Sequence, residues 1–80
     1  MFDQLRKIKQ LKELQDSLKK ELIEVEKNGV KVVVNGKMEI ESITLNDEIS
    51  IQEQERAVRD AINSAFKKIQ TIAAQKMGIL

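Results

Sequence analysis

The spacing of apolar residues changes period twice along this chain. From Leu11 onward, Leu14, Leu18, Leu22 and Val25 fall within about 80° of a helical wheel and form one apolar seam on an N-terminal helix. Traced back in steps of four and three, the seam meets Lys7 and Gln4, so it turns polar at its tip. The period then shortens to two through Val30-Lys31-Val32-Val33-Val34-Asn35-Gly36-Lys37-Met38-Glu39-Ile40, the pattern of a β-hairpin. After Ser50 the helical period returns. Ile51, Val58, Ala61, Ile62, Ala65, Phe66, Ile69, Ile72 and Ala73 lie inside about 140° of the wheel, and the alanines permit close approach of a neighbouring helix.

Turn chemistry supplies the connections. If Val30, Val32, Met38 and Ile40 share one buried face, the hairpin loop must hold an odd number of residues. A three-residue turn with Gly36 in the left-handed region and a bulge sets Val32 beside Met38 and Lys31 beside Glu39. Asn28-Gly29 reads either as a left-handed stop to the first helix, which then runs to Lys27, or as a two-residue hairpin turn. The turn is preferred; it places Val25 opposite Val32 and Glu26 opposite Lys31, with residues 24–26 as a short first strand. The third strand is expected from Met38 to Leu45. Its apolar parity shifts from Met38 and Ile40 to Ile43 and Leu45, which predicts a bulge or face change near Glu41-Ser42. Asn46-Asp47-Glu48 forms a polar connection, and Ser50-Ile51-Gln52-Glu53 has capping-box spacing at the start of the second helix. The segment Met77-Gly78-Ile79-Leu80 is expected to fray. The expected class is α+β: a long helix, a three-stranded antiparallel meander and a second long helix (α-β-β-β-α), in one domain over residues 1–80.

Composition narrows the function. With 80 residues, 41% of them hydrophobic, the chain buries a modest core, and help from a partner chain is expected. It has no Cys and no His, so disulfides, thiolate ligands and the commonest acid-base side chain are absent. Ser17, Ser42, Ser50 and Ser64 have no His to activate them, the three glycines are too dispersed for a phosphate loop, and Asp47-Glu48 is too short for a calcium loop. Glu39 and Glu41 beside Lys31 and Lys37 read as a solvated strand face. No catalytic, cofactor or metal residue is assigned, and no small-molecule substrate is expected. No apolar run approaches the roughly 20 residues of a membrane span, and Met1-Phe2-Asp3-Gln4 opens into a charged helical pattern without a signal-peptide core, so a soluble cytoplasmic protein is expected.

The formal charge of +1 conceals polarity along the chain. Residues 1–20 carry Arg6, Lys7, Lys9, Lys12, Lys19 and Lys20 against Asp3, Glu13 and Asp16, and residues 61–80 carry Lys67, Lys68 and Lys76 against no acid. Residues 21–60 hold five basic and ten acidic side chains. In an α-β-β-β-α chain the start of the first helix and the end of the second both lie away from the sheet, so the positive charge sits on two prongs. Facing lysines repel unless an anion lies between them. Double-stranded nucleic acid supplies that anion, and a twofold dimer supplies two sets of prongs. The alternative for each lysine is ordinary solvated helix surface. Phe2 and Phe66 are the only aromatics, too few for a single-strand stacking platform. Lys outnumbers Arg eleven to three, which favours point-charge contacts with the backbone over bidentate reading of guanine. The candidate phosphate-binding residues are Arg6, Lys7, Lys9, Lys12, Lys67, Lys68 and Lys76.

Three stretches in this order, Val30-Lys31-Val32-Val33-Val34-Asn35-Gly36-Lys37, then Ile43-Thr44-Leu45 before an acidic connection, then Ala61-Ile62-Asn63-Ser64-Ala65 followed by Lys67-Lys68, resemble the small bacterial nucleoid-associated proteins called YbaB/EbfC. The likeness spans nearly the whole chain. It implies a tweezer-shaped homodimer that binds DNA with limited sequence preference and coats or compacts the nucleoid. The chain departs from that pattern in three places. Lys27-Asn28-Gly29 stands where relatives are glycine-rich, Asn46-Asp47 stands in place of Asp-Pro, and the resemblance is not expected to extend to the C-terminal tail common in relatives. The competing reading is a prefoldin-like coiled-coil interaction or chaperone module, which would expose apolar residues at its tips.

Overall fold

The computed structural model describes residues 2–76, with side chains over residues 5–75; the fraying expected of residues 77–80 falls outside them. The elements are α1 (Phe2–Lys20), β1 (Leu22–Lys27), β2 (Val30–Asn35), β3 (Ile40–Thr44) and α2 (Ile51–Lys76). The strands form one antiparallel sheet in the order β1-β2-β3. This is the helix, meander and helix expected of the sequence.

The first hairpin follows its turn residues. Asn28 and Gly29 have φ of 52° and 83°, the left-handed pair that a two-residue hairpin turn needs. Val25 pairs with Val32 and Glu26 with Lys31, as expected. The strand is longer than residues 24–26, however, and Leu22 joins it, so both Leu22 and Val25 belong to the sheet and not to the helical seam.

The second hairpin corrects the expected register. Val32 lies opposite Ile43, not Met38, and Lys31 opposite Thr44, not Glu39. The loop does have three residues, Gly36, Lys37 and Met38, closed by the Asn35 N–H donating to the Glu39 carbonyl at 2.9 Å. Its left-handed residue is Met38, with φ of 64°, and Gly36 is not left-handed. The reason is Asn35, which ends β2 and organises the loop with its own side chain: Oδ1 accepts from the N–H groups of Lys37 (2.8 Å) and Glu39 (3.2 Å). The shift then comes where the apolar parity changes. Val34 pairs with Ile40 but Val33 with Ser42, which leaves Glu41 as the extra residue of a bulge.

The core is one-sided. Val25, Val32 and Val34 meet Ala61, Ala65 and Ile69, with Ile23, Ile62 and Phe66 partly buried around them. Ala57, Ala61 and Ala65 of α2 therefore face the sheet, not a neighbouring helix, and their short side chains let α2 lie close upon β1 and β2. The capping box forms in both directions, with the Glu53 N–H on Ser50 Oγ at 3.1 Å and the Ser50 N–H on Glu53 Oε2 at 3.4 Å. The shape is drawn out. A radius of gyration of 16.3 Å exceeds the roughly 11.6 Å of a compact chain this long, and the extents are 58 × 22 × 14 Å.

Candidate nucleic-acid interface

Two loop contacts decide where the helices point. Asn46 Nδ2 donates to the Asn28 carbonyl at 3.0 Å, so the connection into α2 is tied to the β1–β2 turn. The Gly36 N–H donates to the Leu18 and Glu21 carbonyls at 2.8 and 3.1 Å, so the end of α1 is tied to the β2–β3 loop. These are opposite ends of the sheet. Helix α2 therefore starts at one end, crosses the sheet as far as the buried Ile69 and continues for about 10 Å beyond it to Lys76. Helix α1, about 28 Å long, enters from that same far end. A molecular length of 58 Å, well above the roughly 39 Å of α2, fits an α1 that prolongs the molecule.

Arg6, Lys7, Lys9 and Lys12 on α1 and Lys67 and Lys68 on α2 are all exposed. Lys76 closes α2, and its side chain falls outside the described ones. Among the described residues none of those six has an ion-pair partner; the salt bridge present joins Arg59 Nε to Asp60 Oδ1 at 3.0 Å. Their charge is thus available to a polyanion, not spent internally. The α1 cations do not share one face. Arg6, Lys9 and Lys12 spread over about 120° of the helix, whereas Lys7 stands on the apolar side and lines a shallow groove with Gln10, Leu11 and Leu14.

Sequence reasoning passed over two cations near Lys67. A polar groove beside α2 is lined by Lys27, Asp60, Asn63, Ser64 and Lys67, and the adjoining groove adds Arg56. The available signal was the spacing of Arg56, Asp60, Ser64 and Lys67, which puts them on one flank of a helix. It was masked by the acidic balance of residues 21–60.

The opposite flank of α2 is apolar and open. Ile40 and Ile43 sit on the core-facing side of β3, opposite Val34 and Val32, yet each is 43% exposed because α2 covers β1 and β2 instead. Leu45, Ile51 and Val58 continue this surface as a groove. On α1, Leu5, Ile8 and Leu11 are exposed as well.

The model of the YbaB/EbfC DNA-binding family matches residues 1–80. The chain belongs to the YbaB/EbfC DNA-binding family. It is also similar to a nucleoid-associated protein of Pelotomaculum thermopropionicum, with 37% identity over 87 aligned positions that cover all of this chain and 83% of the relative. YbaB/EbfC is a family of DNA-binding proteins, not of enzymes. Among the described residues no helix is long and apolar enough to cross a membrane.

Proposed function

We propose that this YbaB/EbfC protein is a homodimeric, nucleoid-associated protein of the cytoplasm that binds double-stranded DNA with little sequence preference. Arg6, Lys7, Lys9, Lys12, Lys67, Lys68 and Lys76 make the phosphate contacts, from the basic helix ends of a single domain over residues 1–80. The observation that carries this reading is the presence of exposed cations, without ion-pair partners among the described residues, on two helices that leave the same end of the sheet. Lysine, a flexible point charge, follows phosphate spacing on any sequence, so the backbone and not the base edges sets the affinity.

The dimer reading rests on area. The protomer exposes 6205 Å², against about 4,900 Å² for a compact monomer of this mass. The excess is of the order that each partner buries in a stable dimer, about 800 Å². A second copy seated on Ile40, Ile43, Leu45, Ile51 and Val58 removes the apolar face that α2 leaves uncovered.

Titration onto two unrelated duplexes at low and moderate salt tests the function. Counterion release predicts a log–log slope of about −6 for each protomer whose seven cations engage phosphates, equal on both sequences, and no binding at low salt rejects the proposal. The exposed Leu5, Ile8 and Leu11 favour the prefoldin-like reading as the alternative. A hexameric or mixed assembly in a mass measurement, together with absent DNA binding, would select it.

A further inference from the structure

The packing of α1 against the rest of the protomer is concentrated at one point. Leu18 is buried at 8% exposure, while every described α1 side chain from Leu5 to Glu13 is exposed. The last turn has no Gly or Pro to stop it. Its Leu18 carbonyl is capped from a distance instead, by the Gly36 N–H, which also reaches the Glu21 carbonyl just past the helix, and the Glu21 N–H donates to the Leu18 carbonyl at 3.1 Å.

The loop that delivers this N–H is held without slack. Asn35 is 1% exposed and its side chain uses all four hydrogen-bonding positions. Oδ1 accepts from Lys37 and Glu39, while Nδ2 donates to Glu39 Oε1 at 3.0 Å and Glu41 Oε1 at 2.7 Å. Met38 is kept left-handed, a conformation that a non-glycine residue adopts only when its surroundings enforce it. Gly36 is required for space and not for φ: a Cβ there would collide with the Leu18 carbonyl. The bulged Glu41 belongs to the same arrangement, because the extra residue brings its carboxylate beside that of Glu39 on one amide.

We propose that Asn35 and Gly36 form a clasp that sets the direction of α1, and so the spacing between the α1 and α2 prongs; its role in DNA binding rests on the proposed function above. Lys9 lies about 13 Å along the helix from Leu18, so a 20° change at the clasp moves it by more than about 4.5 Å. That is enough to take a cation off its phosphate. Asn35 and Gly36 are positioning residues that do not themselves touch DNA.

The test uses the full chain with spin labels at Lys9→Cys and Gln70→Cys, diluted into excess unlabelled protein so that distances within one protomer dominate. Gly36→Ala forces the loop and the helix end apart. Asn35→Asp replaces the two-donor amide with a third carboxylate facing Glu39 and Glu41, and Glu39→Gln with Glu41→Gln keeps acceptors for Asn35 without charge. The expected result is a narrow distance distribution in the parent and the double-Gln variant, and one broadened or shifted by about 4 Å or more in Gly36→Ala and Asn35→Asp. Cooperative melting of the sheet should be retained in all of them. Unchanged distributions in both breaking variants would overturn the clasp. So would loss of cooperative melting in both, which would make the loop a requirement of the sheet instead. In unlabelled protein the breaking variants should lower the salt slope of duplex binding by about 1 for each phosphate that α1 no longer reaches; an unchanged slope overturns the link to prong spacing. A parent that binds no duplex sinks the proposed function and leaves the distance result to decide the clasp.

Discussion

The two helices of this protein are anchored in opposite ways. Helix α2 begins with its own local cap at Ser50 and Glu53, then lays Ala57, Ala61, Ala65 and Ile69 on the sheet. Helix α1 ends on a cap borrowed from Gly36 and, among its described side chains, buries Leu18 alone. One helix is therefore part of the core, and the other is a lever attached to it. The difference shows that helical periodicity reports a face available for packing and leaves open whether the protomer itself covers that face.

Truncation of apolar side chains separates the two helices most strongly. Ile69→Ala opens a cavity in the core and should cost about 2–5 kcal/mol, whereas Ile8→Ala, at a side chain 63% exposed, should stay within about 0.5 kcal/mol. Urea denaturation of each variant measures both. Equal costs would mean that α1 is packed as firmly as α2 and would break the comparison. Next in size, Ile43→Lys places a charge on the open β3 face. It should weaken the proposed dimer by roughly 30-fold or more, about 2 kcal/mol, while the helix content of the protomer is kept. Sedimentation over a concentration series reads this out. Smaller still, Ser50→Ala removes the local cap of α2 and should cost about 1 kcal/mol, seen as a lower melting temperature with no change at α1.

Legibility in the sequence follows the same division. Features coded by neighbouring residues could be read directly: the Asn28-Gly29 turn with its register, the Ser50–Glu53 box, and the parity shift that marks the bulge at Glu41. Features that depend on distant partners could not. The end of α1 at Lys20 carries no local stop signal, because the group that caps it lies in a loop beyond two strands. The same cause hid the role of Asn35-Gly36. The dipeptide looked like the centre of a turn because Gly commonly supplies a left-handed residue there, yet Gly36 serves close approach and Met38 takes the positive φ. The alanine stripe of α2 was legible as a packing face but not as one covered by a sheet. For the candidate site, composition exposed the two basic ends, while the neighbouring Lys27 and Arg56 were lost inside an acidic average and emerge only when β1 and α2 are brought side by side.

The central claim is that cations on both helices grip one duplex through its phosphates. Its most direct measurement is the salt dependence of duplex affinity for the parent protein, for Arg6→Ala with Lys9→Ala and Lys12→Ala, and for Lys67→Ala with Lys68→Ala. The prediction is a steep slope in the parent, lowered by about 1 per phosphate-binding side chain removed in each variant, and equal on unrelated sequences. A parent slope near zero, or variants of either helix that bind as the parent does, would contradict it.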